Sequence, residues 1–482
     1  MPTPELPSLD IAREILTRAL AESPADRTEI SWTEAIHRHE RSGRAEAAKE
    51  SNRKDPSRKI SSRAEPGTTR ELNLIVRTTE RGRVGVHRAA AFNRAELAAA
   101  IRQALADARL APAPAALPES PAKGAVTPAA AAEIPSAQLW DAEIADLSAE
   151  EAKALLSQGL GAEEAAHFSW TEGRIGFAAT GAAPRVASLT GAALSLRIGR
   201  GPATGSAEGV ARRLSALAPG RLLDLARERR ADPNLVEPPT SPVPLVLAPR
   251  AVAQLATAFA RAALDSRSME NAIADGALEG WPLFGHFGEQ IAATRLTLLN
   301  DATDPEGLPL PFDACGVSAR RIELIAAGIF RGAAAGRELA VKLGLPPGLG
   351  ELALAIDFDQ AAPYHLALSA SDPATALALE DLLAAADGGL WIAALSPLEV
   401  YDPGVLRFRA VAHGVRRIAG GKIGPAAPNL VWEAGLLEVF ARISGLGAER
   451  IAVGHRSDGA PWLGATLAPA MGLEPQFTLR QG

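Results

Sequence analysis

The spacing of hydrophobic residues near the N-terminus predicts two helices and a hairpin. Apolar residues recur every three or four positions over residues 11–21, with Asp10 as the predicted N-cap. Asn93 precedes a second run with the same spacing, and it is the predicted cap of another helix. Residues 71–77 and 83–87 alternate between apolar and polar side chains around a glycine-containing turn. This pattern is typical of a β-hairpin.

The hydrophobic pattern along the rest of the chain predicts further helices and many more strands. Residues 148–167 are predicted to be a helix that begins with a capping box between Ser148 and Glu151. A strand is predicted at 245–248, followed by an Ala-rich helix from Pro249. Other predicted elements are a helix at 214–229 and strands at 185–199, 295–299, 320–325, 329–332, 366–369, 390–395 and 405–413. The prediction is an α+β protein with an α/β N-terminal domain, residues 1–240, and a β-rich C-terminal domain, residues 241–482.

Two segments contain few large apolar residues. Residues 38–70 hold ten Lys and Arg against five Asp and Glu, and we interpret them as a basic, solvated and mobile insertion. Contact with nucleic acid is the alternative interpretation of that charge. Residues 111–136 form an Ala/Pro run that indicates an extended surface linker.

Composition excludes several classes of protein. The formal net charge is −6, which gives no general attraction to nucleic acid or to an acidic membrane. The single cysteine, Cys315, excludes internal disulfides and Cys-rich metal clusters. Phosphate-loop, GxSxG and HExxH motifs are absent from the sequence. With no signal-peptide pattern and no long apolar span, the expectation is a cytoplasmic protein without membrane contact.

A few residues have the chemistry of metal ligands. His286 and Glu289 are three positions apart, a spacing that brings two ligands together on a helix, although glycines flank them. His37 and His39 would project from the same face of a strand. His413 and His455 complete the set of weaker candidates.

One region is much more specific than these isolated residues. Residues 288–301 read GEQIAATRLTLLND, residues 311–332 read PFDACGVSARRIELIAAGIFRG, and residues 337–344 read RELAVKLG. In these segments the chain resembles the TldD/PmbA (TldD/TldE) family of metallopeptidases, and the similarity extends weakly over most of its length. The motif residues Asp313, Gly316, Arg320, Arg321 and Gly328 suit a scaffold of tight turns and strands that borders a possible groove. Cys315 replaces the acidic residue that is usual before the glycine.

The sequence lacks the zinc-binding motif that the resemblance would lead us to expect in a catalytic member. Catalytic members carry HExxxH on the helix that follows the strand at 245–248, where two imidazoles hold zinc and the glutamate activates water. Here residues 250–259 read RAVAQLATAF, without His or Glu. By resemblance the chain is therefore a TldE/PmbA-like subunit with no catalytic or metal-binding residue and no cofactor of its own. The implied partner is a TldD-like, zinc-bearing subunit in a heterodimer that processes small or unfolded peptides, and a homodimer is possible without it.

Two other hypotheses stay open at this stage. The chain could be a metallopeptidase with a non-standard site built from His286, Glu289, His413 and His455. It could instead be a non-proteolytic regulatory protein, because family members have been labelled DNA gyrase modulators. In that case residues 38–70 would be the segment that contacts DNA.

Overall fold

The structure is a computed structural model of the 482-residue chain. It is a mixed α+β protein, as the sequence predicts, with three β-sheets. No described helix is both long and apolar enough to cross a membrane. The described residues are 5–42, 67–111, 134–157, 164–199, 204–230, 234–274, 278–334, 363–454 and 463–481.

The first half of the chain builds a six-stranded sheet in which every neighbouring pair is antiparallel. The strand order is β3-β2-β1-β4-β5-β6. The predicted hairpin is confirmed as β2 and β3. The strands are β1 (Arg27–Ser42), β2 (Thr68–Glu80), β3 (Arg83–Arg88), β4 (Glu164–Ala179), β5 (Arg185–Ile198) and β6 (Gly205–Ala211).

Helices cover one face of this sheet. Trp32 of β1 and Trp170 of β4 are fully buried beneath them, because alternate residues of a strand point to the same face. Asn93 caps its helix as predicted, whereas Ser8, and not Asp10, caps the first one. The helices are α1 (Leu9–Ala21), α2 (Arg94–Leu110), α3 (Ser136–Leu139), α4 (Ala142–Ala145), α5 (Ala149–Ser157), α6 (Leu214–Leu217) and α7 (Pro219–Glu228).

Three predictions in this half need correction. The helix predicted over 148–167 has the expected Ser148–Glu151 capping box, but α5 ends at Ser157, and β4 occupies the residues from Glu164 onward. The helix predicted over 214–229 is divided at Ala218, whose φ is +45°. The predicted insertion 38–70 is shorter at both ends, because β1 continues to Ser42 and β2 begins at Thr68. Its remaining residues, 43–66, and most of the predicted linker, 112–133, lie outside the described residues.

The second half contains two sheets. The ten-stranded sheet has the order β10-β9-β8-β11-β19-β7-β12-β15-β16 with β18 paired to β19, and the four-stranded sheet has the order β13-β14-β17-β20. The first is mixed, because β11 runs parallel to β19 and β12 runs parallel to β7. The strands are β7 (Leu245–Leu247), β8 (Leu296–Asp301), β9 (Arg321–Ala326), β10 (Ile329–Phe330), β11 (Leu366–Ala370), β12 (Leu390–Ile392), β13 (Ala394–Asp402), β14 (Arg407–His413), β15 (Arg416–Ala419), β16 (Lys422–Ala426), β17 (Leu430–Gly435), β18 (Ile443–Gly454), β19 (Ala465–Leu473) and β20 (Arg480–Gln481).

One helix of the second half is central to its core. The helix α8 (Pro249–Phe259) follows β7 directly and packs on β19 and β13, one strand from each sheet. Its apolar side is fully buried in the largest hydrophobic cluster, which also includes Phe440 and Trp432. A π-helical turn (Ala260–Leu264) continues α8. The remaining helices are α9 (Ser266–Ala274), α10 (Leu379–Ala385) and α11 (Leu436–Ala441), with 3-10 turns at Leu278–Gly280 and Pro373–Thr375.

The two halves meet on the opposite side of the six-stranded sheet, where Leu139 of α3 also packs. Phe177 of β4 packs there with Phe312 and Cys315 of the second half. Arg212, at the end of β6, is buried and donates hydrogen bonds to the carbonyls of Leu308 and Pro309. The strands of the first sheet all precede residue 212 and those of the other two all follow residue 244. A domain boundary near residue 240 stays a prediction.

Candidate functional site

The motif around Asp313 forms a tight turn that is held by one carboxylate oxygen. Asp313 Oδ1 accepts hydrogen bonds from the backbone N–H groups of Cys315 (2.8 Å) and Val317 (2.9 Å), and the side chain is buried. These bonds satisfy buried amides that would otherwise be costly to remove from water. The Asp313 side chain therefore stabilises this turn through local hydrogen bonds to the backbone.

Gly316, inside this turn, has two reasons to be glycine. Its φ is +75°, a backbone conformation that side chains disfavour. A Cβ at this position would also lie 2.2 Å from Cδ1 of Phe177. Gly328 has the same need, because its φ is +78° and a Cβ would lie 2.4 Å from the carbonyl oxygen of Ala292. Both glycines allow a close approach between segments that are distant in sequence.

The two motif arginines lie at the start of β9. Arg321 is exposed and pairs in register with Asp301 of β8, while the preceding Arg320 is half-buried. Their function at a groove stays a prediction. The residue that anchors this motif to the first half is Arg185, which the sequence did not single out. Its guanidinium donates to the carbonyl of Gly316 (2.6 Å) and to Ser318 Oγ (3.0 Å).

The candidate metal ligands do not converge within the part of the chain that the structure describes. His286 Nδ1 lies 2.8 Å from Glu289 Oε2, so these two side chains do meet, on the surface. His413, at the end of β14, contacts the carbonyl of Ser396 instead. His455 lies outside the described residues. Among the residues that are described, no group of three or more His, Cys, Asp or Glu side chains could hold a metal ion.

The first-half histidines also have other partners. His37 is buried in β1, where Nδ1 lies 2.8 Å from Thr171 Oγ1 and Nε2 lies 3.2 Å from Glu71. His39 is exposed on the same face, and its ring contacts that of His167 edge-on. His37 and His39 therefore lie on the same face of β1, as the alternation of side chains along a strand predicts.

The helix α8 occupies the position that the resemblance assigns to the metal-binding helix. Its polar side consists of Arg250, Gln254 and Thr257, spaced so that they lie along one side. Each already has a protein partner. Gln254 Oε1 accepts from the backbone N–H of Leu395 (2.7 Å), and Thr257 Oγ1 lies 3.1 Å from Thr466 Oγ1.

Arg250, the third residue of that polar side, reaches across to the first half. Its Nη1 lies 3.0 Å from Glu208 Oε2 on β6. Burial raises the pKa of Glu208, and the positive charges of Arg250 and Arg229 oppose this effect. The ion pair links α8 to the edge of the six-stranded sheet, with the Glu208 carboxylate more buried than the Arg250 guanidinium.

Two small clefts meet at Glu208, between the six-stranded sheet and the second half. The arginine cleft is lined by Glu208, Arg229, Pro249, Arg250 and Ala393, together with Ser206, Ala207, Ile451 and Val453. The histidine cleft is lined by Glu208 and by His167, Ser169, Ala193, Leu194, Ser195, Gly209, Val210, Ala452 and Gly454. Pattern analysis missed these clefts, because their residues are scattered over both halves of the chain.

Arg229, just after α7, is the most enclosed cation of the arginine cleft. Its Nη1 donates to the carbonyl of Ser206 (3.1 Å), and its guanidinium carbon lies 5.7 Å from the ring centre of Trp391. Burial lowers the pKa of Arg229 to about 10. The arginine cleft thus combines positive charge with one carboxylate, and the buried ring of Trp391 lies next to Arg229; charged groups of this kind are features of a site that recognises a polar ligand.

Comparison with solved structures identifies proteins of similar fold. The chain resembles the crystal structure of TldE from Thermococcus kodakarensis, with a TM-score of 0.72 and 17% sequence identity, over 98% of this chain and 100% of that one. It also resembles a candidate modulator of a DNA gyrase from Thermotoga maritima, with a TM-score of 0.68, 15% identity and coverage of 96% and 98%. A candidate DNA gyrase modulator from Bacteroides thetaiotaomicron gives a TM-score of 0.64, 15% identity and the same coverage. A search of curated proteins finds no match.

The family comes from the sequence of the second half. Residues 240–471 match the model of the PmbA/TldA metallopeptidase C-terminal domain. The fold and this match define a metallopeptidase-like protein. The second half of the chain belongs to the TldD/PmbA family, as the motifs around Asp313 indicate.

Proposed function

We propose that this chain is a TldE-like subunit that holds no zinc and works with a TldD-like, zinc-bearing partner on small or unfolded peptides. The observation that carries the proposal is the polar side of α8. Arg250, Gln254 and Thr257 stand where catalytic relatives would present imidazoles and a glutamate, and all three are engaged with protein groups. None of these side chains is a usual zinc ligand.

The proposal assigns different chemistry to the two subunits. The partner supplies the ion, which polarises the peptide carbonyl and lowers the pKa of a bound water, and the glutamate that activates this water. This chain supplies the clefts that meet at Glu208, where charged and polar side chains can position a peptide. Two of the structurally similar proteins are named for DNA gyrase. We assign no DNA-binding surface to the residues that the structure describes.

Co-expression with a TldD-like protein tests this assignment. Three samples are compared: this chain alone, the partner alone, and the two together. We expect stoichiometric zinc only in samples that contain the partner, and hydrolysis of an unfolded peptide that is greatest in the mixed sample. The control is the mixed sample with a partner whose HExxxH glutamate is replaced by glutamine, which should bind both this chain and zinc but cleave nothing.

Zinc content and peptide hydrolysis of the isolated chain are the measurements that decide against the proposal. Stoichiometric zinc in the isolated chain, together with peptide hydrolysis that a chelator abolishes, contradicts the proposal. In that case the alanine variants His286→Ala and His413→Ala, measured for zinc content, would locate the ligands.

A further inference from the structure

Positive charge is in excess beside the arginine cleft. Arg229 lines the cleft and contacts the face of Trp391. Arg416 of β15 is the register partner of Trp391 in β12, so its side chain projects from the same face of the sheet as the indole. Arg229 and Arg416 are therefore both neighbours of Trp391, and the positive charge of Arg416 lowers the pKa of Arg229.

Among the described residues, Arg229 and Arg416 form no ion pair, although the negative charge of Glu208 acts on Arg229. Arg416 is 5% exposed, and no carboxylate of a described residue lies within ion-pair distance of it. Glu208 is the only carboxylate that lines the cleft, and it is already 3.0 Å from Arg250. Glu228 and Glu449 also act on Arg229 from the surface, but Glu449 is exposed and pairs with Arg221. Glu208 therefore pairs with Arg250 and also acts on Arg229, so one carboxylate serves two guanidinium groups.

We propose that Arg229 and Arg416, beside Trp391, form a binding site for a carboxylate of a peptide. Guanidinium groups recognise carboxylates through paired hydrogen bonds, and such bonds strengthen where water is excluded. A guanidinium group that is partly removed from water and has no carboxylate in direct contact carries a desolvation cost, which an incoming carboxylate offsets. The carboxylate is either the C-terminus of the peptide or an acidic side chain, since the two groups have the same chemistry. The proposal deepens the proposed function, because it rests on a peptide as the ligand.

Calorimetric titration of the full chain at low salt tests the site. The probes are trialanine, trialanine amide, and an acetylated Ala-Glu-Ala amide whose only carboxylate is a side chain. We expect trialanine or the glutamate peptide to bind at least about tenfold more tightly than trialanine amide, because only these two carry a negative charge at the relevant position. Whichever of them binds identifies the source of the carboxylate.

Variants then connect the preference to these residues. Arg416→Met and Arg229→Met remove one charge each at similar length, and each should reduce the preference to below about threefold. Arg416→Lys keeps the charge and should retain more of the preference than Arg416→Met, which shows that the charge matters beyond packing. Arg409→Met is the matched control, because Arg409 is exposed on β14 of the other sheet and pairs with Glu433. It should leave the preference unchanged.

Three outcomes overturn the proposal: equal binding of the charged peptides and trialanine amide, a preference that persists in both methionine variants, or no binding of any probe at millimolar concentration. These titrations use the chain without a partner and without zinc. Their failure leaves the subunit assignment standing, and a zinc-loaded chain would leave the carboxylate site standing.

Discussion

Glu208 of β6 and Arg250 of α8 form an ion pair at 3.0 Å that joins the six-stranded sheet to the central helix of the second half. The pair lies where two clefts meet and where the family resemblance assigns the metal-binding helix. In this chain an arginine in that helix fixes a carboxylate of the other half. The contact therefore engages a polar residue of α8 with a carboxylate of the six-stranded sheet.

The stability contribution of Glu208 should depend on pH. Because burial raises its pKa in the folded protein, its contribution is fully present below the ordinary glutamate value of about 4.5 and is lost as the pH rises through the folded pKa. Glu208→Gln removes this titration. We expect the melting temperature of the variant, relative to the wild type, to rise as the pH increases from about 4.5 toward neutrality.

Thermal unfolding at several pH values measures this difference. Glu399→Gln, at an exposed position on β13, controls for the loss of one carboxylate. A difference between Glu208→Gln and wild type that is the same at every pH contradicts the prediction.

Gly316→Ala should destabilise the protein by about 2–4 kcal/mol, because the added Cβ would meet the Phe177 ring in a backbone conformation that alanine disfavours. Gly181→Ala is the matched control. Gly181 has a similar φ of +83° but no atom within 4 Å of the added Cβ, so the expected cost is only about 1 kcal/mol. Equal costs in denaturant unfolding would mean that the contact with Phe177 is not a constraint.

Asp313→Ala should cost about 2–3 kcal/mol, since it leaves the buried amides of Cys315 and Val317 without their acceptor. Asp372→Ala removes a comparable turn bond to the N–H of Ala374 on the surface, where water replaces the acceptor. Its expected cost is about 0.5 kcal/mol. Chemical denaturation of both variants compares them directly, and an Asp313 variant as stable as the Asp372 variant would refute the prediction.

Replacement of Arg212 or Arg416 by methionine should change the stability of the protein differently, although both arginines are buried. Arg212 donates to the carbonyls of Thr190 (2.9 Å), Pro309 (3.2 Å) and Leu308 (3.3 Å), and Arg212→Met should cost about 2–3 kcal/mol. Arg416→Met removes a buried charge that has no carboxylate partner among the described residues. It should be neutral or raise the melting temperature when no ligand is present. A large destabilisation by Arg416→Met would mean that Arg416 has a structural role in the ligand-free protein.

Local features were predictable because neighbouring residues determine them. The Asn93 cap, the Ser148–Glu151 capping box and the β2–β3 hairpin depend on residues a few positions apart, and all three are confirmed. The helix predicted to His167 was wrong because His167 pairs in register with Arg41 of β1 and Ser195 of β5. These contacts with distant strands override the local preference of an Ala-rich segment.

The amino-acid sequence alone determined the family motifs, the tight turn at Asp313, and the lack of His and Glu in the helix after Leu247, because each is a property of a short stretch of chain. Only the tertiary structure decided that Glu208 meets Arg250, and that Arg229 and Arg416 are both neighbours of Trp391. Those residues come from β6, α8, the end of α7 and β15. Their proximity follows from how the two sheets pack, so the spacing of these residues along the sequence does not predict it.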